Sequence, residues 1–173
     1  MSNEKQQSFV VENGITLGVI VLALFIIFAV GLPRWFDGDG AKAATAHSSI
    51  TLPTKLSGGL KLNKSKDITS VMTKQQKDAA SALGTSTALA VYGSSSEQYI
   101  VQAVRDSGGA LLPTIQGSYS KVGDSVCLTD AIASQAYGVV ACRHSSAELT
   151  VQVTGASDKK AAKYADEIFK KLS

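Results

Sequence analysis

Three rhythms of apolar and polar residues divide this chain. In the first, from Gly14 to Leu32, the run GITLGVIVLALFIIFAVGL has no rhythm at all, and no charge intervenes between Glu12 and Arg34. A helix built from it is apolar on every face, with no polar stripe to turn toward water. At 1.5 Å rise per residue it spans a hydrocarbon core of roughly 30 Å. The expectation is a transmembrane helix over Gly14 to Leu32 behind a short tail, residues 1–13. Ala41-Lys42-Ala43 and Ala44-Thr45-Ala46 offer the small-residue pattern of a cleaved signal peptide. Against cleavage, the run exceeds a signal core of about 7–15 residues and no cationic cluster precedes it. Arg34, Trp35 and Phe36 follow directly and suit the interfacial layer, where aromatic rings sit between lipid and water.

The second stretch, residues 33–53, is a tether. Asp37 to Ser49 reads DGDGAKAATAHSS, with no apolar period and too little apolar surface to form a core. The third, residues 54–173, has the size of one small domain. In it, SVMTKQQKDAASAL from Ser70 to Leu83 is helical in composition, with Ile68, Met72, Ala79 and Leu83 near one face. Thr73 and Gln76 have capping-box spacing, and Gly84 is a natural stop.

After Gly84 the period shortens to that of strands. Thr87 to Gly93 and Glu97 to Asp106 read as a hairpin around Ser94-Ser95-Ser96. Ser107 to Gly123, with Gly108-Gly109, Pro113 and Gly117, reads as a long connection. Three further strands follow: Ser125 to Asp130, Tyr137 to His144 and Glu148 to Thr154. In the last, Leu149, Val151 and Val153 alternate with Thr150, Gln152 and Thr154, which predicts one buried and one wet face. A closing helix, capped by Ser157 or Asp158, runs to Leu172 with Ala161, Tyr164 or Ala165, Ile168 and Leu172 as its apolar stripe. The fold class is therefore α+β: a mostly antiparallel sheet of about five strands flanked by two helices, both on one face.

Charge adds little direction. The flanks of the apolar run carry almost equal positive charge, so they do not orient it. From Thr54 onward the chain has fourteen Lys and Arg against ten Asp and Glu. Lys55, Lys61, Lys64 and Lys66 crowd into the entry to the domain, a candidate contact for anionic lipid or cell-wall polymer beside the anchor. No basic stripe is interleaved with aromatics, so nucleic acid is not an expected partner.

Cys127 and Cys142 are the sharpest local signal. They fall in consecutive strands, with Ser134-Gln135 midway as a polar turn, so a hairpin folded there sets them side by side. Outside the cytoplasm such a pair is oxidised. That places the domain outside and the short tail inside. His144 shares a strand face with Cys142, which offers a three-ligand soft metal site as the rival reading; it lacks a fourth ligand.

The stretch Cys127 … YGVVACRHSSAELTVQVTGASDKKAAKYADEIFKKL, with Leu52-Pro53 and Ser57-Gly58-Gly59 before it, resembles a layout found in uncharacterised actinobacterial proteins. Those are single-pass membrane-anchored or secreted chains with a small two-cysteine extracytoplasmic domain. Such relatives often carry a Cys-x-Trp-Ala-Asp-like stretch after the second cysteine. Here Cys142-Arg143-His144-Ser145-Ser146 lacks both the aromatic and the acid. The resemblance implies a bacterial, membrane-tethered protein and no particular chemistry.

No phosphate-cradling loop, dinucleotide fingerprint or G-x-S-x-G elbow occurs. The leading expectation is a non-enzymatic binding or structural module of the cell envelope, with no cofactor and no metal. Its partners are the lipid bilayer and an envelope protein or wall polymer. A small-ligand sensor or carrier with Ser107 to Gly123 as a lid is the alternative. A hydrolase or metal site centred on His144, with Asp124 or Asp130 and a serine, is the third.

Overall fold

The computed structural model describes residues 49–94, 97–105, 118–128 and 138–173. Gly14 to Leu32 and the interfacial trio Arg34, Trp35 and Phe36 lie outside these residues. Among the described residues no helix is long and apolar enough to cross a membrane.

The described chain forms two helices, α1 (Lys66–Leu83) and α2 (Asp158–Leu172), and six strands. These are β1 (Thr87–Ser94), β2 (Glu97–Arg105), β3 (Tyr119–Val122), β4 (Ser125–Leu128), β5 (Val140–Ser145) and β6 (Leu149–Gly155). They make one sheet in the order β1-β2-β6-β5-β4-β3, with every neighbouring pair antiparallel. Strands β3 to β6 are a meander, and its last strand inserts against the first hairpin, pairing Val101 with Val153.

The α+β class holds, with six strands in place of five. The extra strand, β3, reads YSKV and lies inside the stretch expected to be a long connection. Four residues with one aliphatic among them carry no readable period, and β3 is held through its pairing with β4 at the sheet edge. Lys121 on that edge is exposed, which blunts it against further pairing.

The two helices lie on opposite faces, not on one. Strand β1 explains why: TALAVY is apolar at nearly every position, so both of its faces need cover. Ala90 and Tyr92 join the main core under α2, together with Tyr99, Val101, Val151, Val153 and Ile168. Leu89 and Val91 point the other way and pack with Ile100, Met72 and Ala79 under α1.

Helix α1 starts at Lys66, one turn ahead of the expected Ser70. Thr73 is not a cap: its hydroxyl donates to the Thr69 carbonyl inside the helix. Gly84 ends the helix in the left-handed conformation, φ 63°, as a stop glycine should. In α2 the expected cap is present, with Ser157 Oγ accepting from the Lys160 amide. Its alanines Ala161, Ala162 and Ala165 are buried, and their small side chains let the helix sit close to the sheet.

The expected wet face of β6 is also buried: Thr150, Gln152 and Thr154 are 3%, 8% and 4% exposed. Strand β6 is central, so long polar neighbours shield one another across the row Gln102, Gln152 and Arg143. Alternation reports which face is apolar; whether the polar face meets water depends on position in the sheet.

The entry segment is part of the fold. Leu56 is 2% exposed in the main core, and Ile50 and Leu52 pack against that core. Residues 61–63 run antiparallel beside β1, where the Asn63 amide donates to the Val91 carbonyl and the Gly93 amide to the Lys61 carbonyl. The Tyr92 hydroxyl donates to the Pro53 carbonyl, tying the start of the domain to its core.

Candidate functional site

Strands β4 and β5 set Cys127 directly opposite Cys142, with Cα atoms 4.0 Å apart and the sulfurs bonded. Both residues are fully buried beneath α2. Two bonded sulfurs are not thiolate ligands, so the three-ligand metal arrangement with His144 does not form. Among the described residues no cluster of three or more His, Cys, Asp or Glu is placed to hold a metal.

His144 does sit in a polar cluster, but its acid is Asp166 and not the expected Asp124 or Asp130. Its Nδ1 is 2.7 Å from Asp166 Oδ1 on α2, and its ring stacks on Phe169 at 3.8 Å between centroids. The Ser125 hydroxyl donates to the same Oδ1 at 2.6 Å, and the Asp124 amide donates to Oδ2 at 3.2 Å. Nucleophilic catalysis needs a serine hydroxyl donating to an imidazole nitrogen. Here serine and histidine both turn to the carboxylate, so Asp166 ties α2 to two strands and to the β3–β4 turn. Gly123, φ 64°, makes that approach possible: a β-carbon there would lie 2.7 Å from Asp166 Oδ2. Asp124 takes part through its backbone, and Asp130 lies outside the described residues. Asp166 sits two residues from Tyr164 and Ile168 in an amphipathic helix, and nothing in that spacing separates it from a solvated acid.

All four entry lysines are exposed. Lys55 and Lys61 face each other across an antiparallel bridge around the turn Ser57–Gly59. The Leu56 amide donates to the Leu60 carbonyl and the Leu62 amide to the Thr54 carbonyl, the pattern that flanks a closely spaced pair with neighbouring side chains. Like charges so placed repel, which costs stability unless an anion lies between them. Lys64 and Lys66 follow at the start of α1. The Ser57 amide donates to Glu167 Oε2 at 2.9 Å, anchoring this turn to α2.

A cavity of about 260 Å³ opens between the entry segment, α1 and β1. Ile50, Leu52, Leu62, Ile68, Met72 and Leu89 supply its apolar walls, and among the described residues Lys64 is its one charged lining residue. No pattern in the sequence points to it, because its walls come from three segments whose contact no local period announces. Of the stretch expected to be a lid, Tyr119–Val122 is strand β3 and residues 106–117 lie outside the described residues.

No protein-family model matches the chain, and no curated relative or solved structure matches it either.

Proposed function

We propose that this chain is a membrane-tethered binding module of the cell envelope, with its α+β domain held outside the cytoplasm by the helix Gly14 to Leu32. The observation that carries this reading is the buried Cys127–Cys142 disulfide, a bond that persists in oxidising compartments and is rare in reducing ones. The uncharged run and the short tether after it supply the attachment.

The test is made on intact cells. Free thiols are blocked under non-reducing conditions, and protease is added from outside before digestion and mass spectrometry. A peptide pair linked through Cys127 and Cys142, and cleavage of residues 54–173 by the external protease, are expected. Two free thiols, or a domain protected until the membrane is opened, would overturn the reading.

The paired Lys55 and Lys61, with Lys64 and Lys66 beside them, favour contact with anionic lipid or wall polymer as part of this role. Weaker association of a four-fold Lys→Gln variant with anionic wall fragments is expected, and equal association removes the contact.

A further inference from the structure

The cavity between the entry segment, α1 and β1 has an unusual division of labour in its lining. Its polar side chains are mostly engaged within the protein. Asn63 donates through Nδ2 to the Gly93 carbonyl and accepts the Ser65 amide on Oδ1. The Thr73 hydroxyl donates to the Thr69 carbonyl, and Gln76 Oε1 accepts the Leu89 amide. What remains facing the space is hydrocarbon, with Ile50, Leu52, Leu62 and Ile68 only half-buried. At the rim stands Lys64, and among the described residues this ammonium forms no ion pair and no carboxylate lines the cavity.

We propose that this cavity binds the hydrocarbon tail of a single fatty acid, whose carboxylate pairs with Lys64 at the mouth. Apolar walls with a single charge at the opening match a ligand that is apolar along its length and singly anionic at one end. The volume, about 260 Å³, lies just under the roughly 300–1,000 Å³ of small-molecule sites, which suits one chain. Ile50 and Leu52 join the tether to the cavity wall, so the ligand's source is the adjoining bilayer; in that respect the inference rests on the membrane-tethered reading.

The test uses the full chain in nanodiscs of neutral lipid containing a small fraction of a diazirine-bearing fatty acid. On illumination, the label is expected on the peptides carrying Ile68, Met72 and Leu89. Thr69 and Lys64 are exposed, so Thr69→Trp fills the mouth and Lys64→Glu reverses its charge without touching the core. Each is expected to cut labelling about tenfold, the scale of a lost charge-assisted contact or of a filled site, while the melting temperature is unchanged. The alcohol of equal chain length should label weakly and should not respond to Lys64→Glu. Label confined to other segments, an unaffected Thr69→Trp variant, or equal labelling by acid and alcohol would each overturn the assignment. If the chain does not co-isolate with the discs, the tethered reading falls. The same probe added to the protein in solution then still decides the cavity.

Discussion

His144 and Asp166 face each other at 2.7 Å across the junction of β5 and α2, and the carboxylate oxygen between them also takes the Ser125 hydroxyl. One acid thereby joins a helix, two strands and a turn. Removing it leaves Ser125, which is fully buried, with only a 3.5 Å contact to the Ala162 carbonyl. Asp166→Ala is expected to cost about 1–3 kcal/mol, the penalty for stranding a buried donor, and Asp166→Asn less. Urea unfolding of the full chain in detergent measures both. A loss under about 0.5 kcal/mol for the alanine variant would mean that the cluster holds nothing together.

Tyr99 and Gly155 offer a second check, on packing. A β-carbon on Gly155 would lie 2.2 Å from Tyr99 Cδ1, so the ring occupies the space that the glycine leaves. That ring also meets Tyr164 edge-on at 5.0 Å, and its hydroxyl donates to Glu97. Gly155→Ala should destabilise by about 1–3 kcal/mol through overpacking. In a double-mutant cycle with Tyr99→Leu the two changes should be strongly non-additive, and simple additivity would separate them.

Arg143 is 7% exposed, and its Nε and Nη1 have no hydrogen-bond partner among the described residues, while Nη2 donates to Gln152. Burial pulls its pKa down to about 10 from an ordinary 12.5. Because the folded value lies below the unfolded one, the ion costs stability throughout the neutral range, and the cost is relieved only as pH rises past about 10. Replacing the pair together, as R143M/Q152L, is expected to leave stability unchanged or raise it by about 1–4 kcal/mol. Thermal unfolding at pH 7 checks this. A clear fall for the double variant would show that the guanidinium is satisfied.

Glu167 gives the acid side of the profile. Burial pushes its carboxyl upward, but the Lys171 ammonium and the Ser57 amide outweigh it and hold the group below its ordinary 4.5. A lowered carboxylate stabilises the fold above its unfolded value, and the contribution is lost as pH falls through the folded value. Glu167→Gln should therefore be less stable than the parent at pH 7, by under about 1 kcal/mol for so exposed a pair. The difference should shrink toward zero in acid. A gap that stays constant from pH 7 to pH 3 would rule out the linkage.

The sequence alone was enough for everything that repeats locally or is covalent. The period-2 pattern of β6, the 3.6-residue stripe of α2 and its cap at Ser157 or Asp158, the stop at Gly84 and the Cys127–Cys142 pairing are short-range consequences of side-chain direction and turn chemistry. The uncharged run Gly14 to Leu32 is equally a property of the sequence, and it remains the basis of the tethered reading.

Tertiary structure decided what depends on neighbours distant in the chain. Strand β1 is apolar at nearly every position, but only the packed sheet put α1 on one of its faces and α2 on the other, and the placement of β6 between β2 and β5 buried Gln152 and Arg143. Asp166, its glycine gap at Gly123 and the walls of the α1–β1 cavity come from segments up to forty-odd residues apart. The physical reason is range: a local pattern records which way a side chain points, and only the packed chain determines what it meets there.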